Sequence, residues 1–588
     1  MTNNDETNVS TLASETPATE SPETKPRRTR GLPAGTTLAM RKDGVRETIE
    51  SVVIALVLAF LFRTFEAEAF VIPTGSMGPT LEGRHKDLDC PQCGYHFRVN
   101  AAEEFDDLAG RMRPDGQGII HSITCPVCRY TNEEVDYTKD PSYNGDRLLV
   151  SKMAYQIGEP ERWDVIVFKF PEQAEMNYIK RLIGLPGETV RIFQGDIYIN
   201  SPEQDGFHIA RKPADKARVM WQPVYDNDYA QQELLDAGWP SRWSDSNDDN
   251  AAGDGWTRSD DLKTFSVAAE GAERRLTYRH VVPSWKDWRE VKAGTLPHPS
   301  DARPQLISDF CGYNAGNTSR LSSRPPAQVL GPHWVGDLAV EGTIDVSQVG
   351  SDGQVEFELI RGGRRHTCTI NLNDGTVTLG VDGIADFAPR AASDVRGTGS
   401  HEVTVANIDE QLHVWIDGDL LEFDAATAYA DSDGSAPVIP TQDDLAPVSV
   451  IARDATLSVT HLRVFRDVYY IAADANSGPL VDYMHDSTFR HGSDEQLIDF
   501  LASPDQWGKF DNLRRVEFPL GDDQFFVLGD NSPRSRDSRL WTEQHFVERE
   551  MLIGKAMVVY WPHSWNEVPG TDIPFPLFPN FSAMRVVR

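Results

Sequence analysis

A mainly β protein is predicted, with one apolar helix near its N-terminus and a β-sandwich inserted into a β-rich catalytic domain. Three observations carry that expectation. Short β-branched and aromatic runs bounded by Gly, Pro and Asp recur along the chain, among them Asp164 to Phe170, Thr189 to Ile192 and Phe525 to Leu528. One stretch, Ile49 to Phe65, is apolar apart from Glu50, Ser51, Arg63 and Thr64. Period-two alternation is dense between residues 333 and 470.

The 588 residues suffice for several domains. Acidic residues outnumber basic ones by 90 to 57, a net charge of −33, which argues against a nucleic-acid partner and for a well-solvated exterior. Residues 1–47 open with the Thr-, Glu-, Ser- and Asn-rich composition of a disordered tail and then carry Lys25, Arg27, Arg28, Arg30, Arg41, Lys42 and Arg46. The apolar segment over 48–66 follows. A spanning helix takes about 20 apolar residues, with a range of about 17–25, so this segment reads as a short membrane anchor with Arg63 reaching for the interface. A cleaved leader or a buried helix has a similar apolar run. The seven cations ahead of it favour a cytoplasmic N-terminus, which puts everything after residue 66 on the far side of a lipid bilayer.

Three strings then carry chemistry. The first, over 67–86, is Pro73-Thr74-Gly75-Ser76-Met77-Gly78-Pro79, a serine in a tight turn; the second, over 141–200, is Tyr178-Ile179-Lys180-Arg181; the third, over 521–562, is Gly529-Asp530-Asn531 followed by Ser535-Arg536-Asp537-Ser538-Arg539. In this order, behind an N-terminal anchor, they resemble the motif set of bacterial type I signal peptidases, which cut leader peptides from exported preproteins. The resemblance covers residues 49–86, 143–200 and 522–562. It implies a β-rich catalytic domain that needs no cofactor for catalysis, with Ser76 as nucleophile and Lys180 as general base. Thr74 takes the place of the oxyanion donor, Ser535 that of a hydroxyl touching the lysine amine, and Asp537 with Arg539 that of a bracing ion pair. Ser532-Pro533-Arg534 departs from the usual family sequence of that loop while keeping the spacing to Ser535.

A lysine amine has a pKa near ~10.4 and serves as a base at neutral pH only where burial lowers it. Tyr178, Ile179, Leu182 and Ile183 are the apolar neighbours expected to do so; outside this motif, Lys180 and Arg181 would read as solvated strand charges. Ala-x-Ala-like cleavage sites fit shallow apolar pockets, and Phe70, Val71, Ile72 and Met77 are expected to wall them. Two competing readings are a self-cleaving Ser-Lys peptidase of the repressor type and a surface glycan- or protein-binding protein built on a peptidase scaffold. The first has no use for the anchor, and the second has no use for Ser76, Lys180 and Ser535 together.

Two insertions part the blocks. Residues 87–140 hold Cys90-Pro91-Gln92-Cys93 and Cys125-Pro126-Val127-Cys128, spaced like the two knuckles of a zinc ribbon. Structural zinc on these four thiolates is one expectation; disulfides, favoured by an oxidising compartment, are the other. Cys311 and Cys368 follow no pattern. Residues 201–332 are rich in Trp, Asp and Pro and carry no legible motif. Residues 333–470 alternate in short strands broken by Asp-Gly and Gly-Gly turns, and Leu412-His413-Val414-Trp415-Ile416-Asp417-Gly418 is similar to a strand of laminin-G or concanavalin-like sandwiches, folds that take glycan or protein ligands. Residues 471–520 return the chain to the catalytic domain, and 563–588 form a C-terminal tail. Because Ser76, Lys180, Ser535, Asp537 and Arg539 all lie outside 201–520, that whole segment is expected to be separable from the chemistry.

Overall fold

The structure, a computed structural model, describes residues 44–61, 67–106, 111–113, 118–136, 138–245, 255–295, 302–319, 330–477, 480–483, 494–562, 565–567, 574–578 and 580–588. The expected disordered tail up to residue 43, and residues 62–66 at the end of the expected anchor, lie outside the described residues. A helix covers Gly44–Leu61. Its 18 residues rise about 27 Å at about 1.5 Å each, and Ile49, Val52, Val53, Ile54, Leu56 and Val57 are all more than half exposed. Among the described residues no helix is long and apolar enough to cross a membrane.

Beyond residue 66 the chain is built of antiparallel strands. One sheet runs, in spatial order, Ala67–Val71, Arg147–Ser151, Leu552–Trp561, Val165–Phe170, Gln173–Gly184, Gln524–Leu528 and Val547–Glu548, with Arg585–Val586 added beside Leu552–Trp561. Val165-Ile-Val-Phe is β-branched and aromatic and sits centrally, so both of its faces are buried. Ala67–Val71, which leads into the Ser76 turn, is the edge strand. A second sheet joins Gln204–Ile209, Asp196–Ser201, Thr189–Phe193 and Arg515–Pro519. The second and third motif blocks therefore extend past their expected limits, because Gln204–Ile209 and Arg515–Pro519 supply strands from what read as insertion and return connection.

The largest sheet system has twelve strands. Two long strands, Leu338–Arg361 and Val448–Arg466, run side by side through it. Bulges bend Leu338–Arg361 so that its first half pairs with Gly399–Ile408 and its second half with Arg364–Asn371. Val355, Phe357, Cys368, Ile370, Val403 and Val405 meet in the core between the layers, each fully buried. Alternation thus has the consequence expected of it. The boundary differs: Gln222–Asp226 and Phe265–Tyr278 also pair with Val448–Arg466, so the sandwich begins more than a hundred residues before position 333. Phe265, Val267 and Ala269 alternate inward in a segment whose Trp, Asp and Pro content hid the pattern.

Among the described residues the cysteine segment forms three small antiparallel pairs, His85–Asp89 with His96–Asn100, Phe105–Asp106 with Arg111–Met112, and Ser122–Thr124 with Thr131–Asn132; the last gains a third strand, Gly316–Asn317, from the large insertion. Trp288, also from the insertion, is buried and donates its indole N–H to the Cys128 carbonyl at 2.9 Å. The insertion is thus woven into its neighbours.

A buried charge network makes the same point at the catalytic sheets. Arg361 of the sandwich lies 2.6 Å from Asp337 and 2.9 Å from Asp196, which opens a strand of the second sheet. Lys212 lies 2.6 Å from Asp409 and 2.8 Å from Asp467. Burial pushes the Asp196 and Asp337 carboxyls up and Asp467 to about 6, each opposed by the cation beside it. Removing one partner of such a pair strands the other in a dry interior, which typically costs about 3–5 kcal/mol. Arg361→Ala should lower the urea-unfolding free energy of the whole chain by about that amount, with a matching fall in the denaturation midpoint.

Candidate active site

Ser76 sits in a single turn of 3₁₀ helix, Gly75–Met77, directly after the edge strand. It is 7% exposed. Lys180 occupies the buried half of strand Gln173–Gly184, whose alternation sends Leu182 and Ile183 into separate apolar clusters on either side of the sheet. The two meet across the fold. Lys180 Nζ donates to Ser76 Oγ at 2.6 Å and to the Ile179 carbonyl at 2.9 Å, and it lies 5.3 Å from the Tyr178 ring centre. Burial brings the Lys180 amine down to about 8, although Asp537 and Asp530 pull the other way. In its neutral form such an amine can accept the hydroxyl proton of Ser76, and as ammonium it can return one.

Both opposing carboxylates are tied to arginines. Asp530 accepts from Arg181 Nε at 2.8 Å and Nη2 at 2.6 Å, and Arg181 also donates to the carbonyls of Trp163 and Arg588. Asp537 and Arg539 form the expected pair, both buried, through Nε and Nη2 at 2.8 Å each. Arg539 further donates to Ser532 and to the Ile471 carbonyl, and Ser532 Oγ accepts from the Ile471 N–H at 2.9 Å. The unusual Ser532-Pro533-Arg534 loop is therefore held by a residue from the return segment.

Other expected site residues are placed differently. Ser535 is buried near the nucleophile, but its hydroxyl has no hydrogen-bond partner among the described residues. No hydrogen bond joins Ser535 to the lysine amine, which bonds Ser76 and the Ile179 carbonyl. Thr74, at the head of the turn, is exposed and makes no capping bond. Val71 is 52% exposed and Phe70 half-buried, as pocket walls can be. Ile72 and Met77 are not walls; both are buried in an apolar cluster with Leu81, Leu148 and Val165 beneath the turn.

Three residues of this neighbourhood were missed as site candidates. Arg181 has no role of its own in the motif reading, yet it is fully buried. The signal was its position on an otherwise apolar strand end, together with Asp530 in the Gly-Asp-Asn string. Asn531 is the third; its backbone N–H donates to the Ser76 carbonyl at 3.1 Å and its side chain to the Gly75 carbonyl at 2.8 Å.

The sulfurs of Cys90, Cys93, Cys125 and Cys128 lie within 4.8 Å of one another. All six cysteines are free thiols, so neither disulfides among these four nor one between Cys311 and Cys368 is formed. Burial pushes the Cys125 and Cys128 thiols up, so only a cation among the four would keep all of them as thiolates. Four convergent sulfurs fit a tetrahedral metal with no position left for water.

A family model described as signal peptidase, peptidase S26, matches residues 133–296 and 475–561. Among curated proteins, a probable signal peptidase I-2 of Synechocystis is 28% identical over 170 residues, 28% of this chain and 50% of that protein. Signal peptidase I of Pseudomonas aeruginosa is 44% identical over 69 residues, 10% of this chain and 24% of its own. The chain spans half the length of the first relative and about a quarter of the second. The family match covers the second and third of the motif strings that resemble bacterial type I signal peptidases, while the string around Ser76 lies outside it. Among solved structures, the carbohydrate-binding module CBM66 from Bacillus subtilis aligns with a TM-score of 0.20 and 7% identity over 38% of this chain and 95% of its own, a likeness too slight to carry an argument.

Packing at the nucleophile leaves no room at Gly529. A Cβ there would come 2.2 Å from Ser535 Oγ and 2.4 Å from the Ser76 carbonyl oxygen, so the backbone approaches the turn only because the side chain is missing. Overpacking of this kind typically costs about 1–3 kcal/mol. Gly529→Ala should destabilise the chain by about that amount and displace the Ser76 turn, read as a lower melting temperature and faster amide exchange over residues 73–81.

Proposed function

We propose that this chain is a membrane-anchored serine endopeptidase that removes N-terminal signal peptides from exported preproteins, with Ser76 as nucleophile and Lys180 as general base. The observation that carries the reading is the 2.6 Å contact between Lys180 Nζ and Ser76 Oγ, made by an amine that burial brings down to about 8. In the proposed cycle the neutral amine takes the Ser76 proton as Oγ attacks the scissile carbonyl carbon. The resulting ammonium gives that proton to the departing amine, leaving an acyl-enzyme. The amine then activates the water that releases the acid. Thr74, exposed two residues before the nucleophile, is the proposed side-chain donor to the oxyanion.

Substrate reading follows from the edge strand. Ala67–Val71 pairs on one side with Arg147–Ser151 and ends the sheet on the other, so an extended peptide can add to it by main-chain hydrogen bonds and run into Ser76. Phe70 and Val71 would then meet the small side chains of an Ala-x-Ala-like site, with Ile72 and Met77 as the packed floor behind them. The exposed apolar face of Gly44–Leu61 and the cations before it support an anchor with its N-terminus in the cytoplasm and the peptidase on the other side. The four knuckle cysteines are proposed to hold one structural zinc, apart from the chemistry.

Two measurements test these statements. Detergent-solubilised chain should process a preprotein, and Ser76→Ala or Lys180→Ala should each reduce the rate at least about 10³-fold with no change in melting temperature. Lys180→Arg should fail as well, because a guanidinium stays protonated. Since the protonated amine is no base, the wild-type rate should rise with pH and reach half its maximum near 8; full processing by Lys180→Ala sinks the dyad. For the metal, elemental analysis of the purified chain should find about one zinc per molecule, lost together with thermal stability in Cys125→Ser.

A further inference from the structure

The sequence places everything between residues 201 and 520 outside the chemistry, yet one turn of that segment reaches the nucleophile. Gly312–Asn314 is a 3₁₀ turn anchored by the Asn314 N–H to the Cys311 carbonyl at 2.9 Å and continued by the Gly316–Asn317 strand on the cysteine segment. Asn314 faces Asn531 in a reciprocal amide pair: Asn314 Nδ2 donates to Asn531 Oδ1 at 2.6 Å, and Asn531 Nδ2 donates to Asn314 Oδ1 at 2.9 Å. The same Asn531 Nδ2 spends its other proton on the Gly75 carbonyl at 2.8 Å, while the Asn531 backbone N–H holds the Ser76 carbonyl at 3.1 Å. Both amides are buried, at 9% and 1% exposure. Tyr313 closes the turn from its other end, for a Cβ on Gly78 would come within 2.3 Å of its ring.

An asparagine amide has an acceptor end and a donor end, and rotating it by half a turn exchanges them. If Asn531 rotated so, its oxygen would face the Gly75 carbonyl, acceptor against acceptor, and the turn would lose that tether. The Gly75 carbonyl takes one proton of Asn531 Nδ2, and Asn314 takes the other while donating to Asn531 Oδ1, so with Asn314 present the orientation that tethers the turn is the one in which the whole Asn531 amide is paired. In a dry site no water substitutes for that choice, and a buried polar group left unsatisfied costs about 1–3 kcal/mol.

We propose that Asn314 is a positioning residue of the peptidase site: by orienting the Asn531 amide, the inserted segment sets the conformation of the Ser76 turn and hence the distance from Ser76 to Lys180. The proposal rests on the dyad reading above, since only there does the placement of Ser76 matter for rate. It also corrects the expectation that the insertion is separable from the chemistry.

The test uses the full chain with Asn314→Leu, which keeps the volume but offers no hydrogen bond, and Asn314→Asp, which keeps an acceptor for Asn531 Nδ2. Amide hydrogen exchange is read over residues 73–81, and cleavage of a short leader peptide at a temperature well below either variant's melting point. Asn314→Leu should speed exchange in the turn while leaving the sandwich strands unchanged, and should lower kcat about 10–100-fold with KM within about twofold. Asn314→Asp should recover most of that kcat. Unchanged exchange over 73–81 in Asn314→Leu, or equal losses of kcat in the two variants, overturns the proposal. Because the exchange experiment needs no activity, it decides the positioning claim even where the wild type cleaves no better than Ser76→Ala, a result that instead overturns the dyad. If Asn314→Leu does not fold, Asn314→Ala carries the same comparison, since it removes the amide of the inserted turn and leaves Asn531 and its backbone tether to Ser76 in place.

Discussion

Keeping water from one amine governs the arrangement of this site. With a pKa near 8 about one Lys180 in ten is neutral at pH 7, against about one in 2,500 for a lysine in water. Burial alone does not secure that fraction, because Asp530 and Asp537 stand close enough to hold the proton on. Each of those carboxylates is locked in a two-bond pair with an arginine, Arg181 or Arg539, whose positive charge offsets its field at the amine. The arginines thus do more than brace a strand: they let two acidic residues shape the loop beside an amine proposed as the base.

That demand spreads outward. Arg539 reaches Ile471 and Ser532, Arg181 reaches Trp163 and the final residue Arg588, and Asn531 reaches Asn314. Tyr470 and Ala472, where the sandwich passes into the return segment, pack in one cluster with Ile183 and Phe526 of the flanking sheets. An insertion that merely left and re-entered an exposed loop would show none of this. Here the sandwich is bound to the peptidase by a buried charge network, a shared apolar cluster and a tether at the nucleophile, so the catalytic unit and its large outgrowth form one hydrogen-bonded fabric.

Much of this was legible in the sequence. The Ser76 turn and the Lys180 strand were read from short strings because a tight Gly-rich turn and a buried strand end are locally encoded, and the alternation around Phe357, Ile370 and Val414 pointed to the sandwich. Three things were hidden for physical reasons. The start of the sandwich was obscured because its first long strand, Phe265–Tyr278, is bulged and half-exposed, which breaks a strict two-residue period. Arg181 was given no role because burial of a charge depends on a partner 349 residues away, and no local pattern reports that. The direction of Ile72 and Met77 depends on how the turn lies over Leu148 and Val165.

The Arg181 to Asp530 pair spans 349 residues and the Asn531 to Gly75 bond 456. At about 5–20 residues per second of synthesis, a ribosome that has finished Arg181 needs on the order of half a minute before Asp530 exists. During that interval Ser76 and Lys180 are both present, but Arg181 has no counter-ion and the turn has no Asn531. Arg181 and the Ser76 turn therefore gain these partners only after the third block has been made, so the site is completed late in synthesis, by residues far along the chain from Ser76 and Lys180.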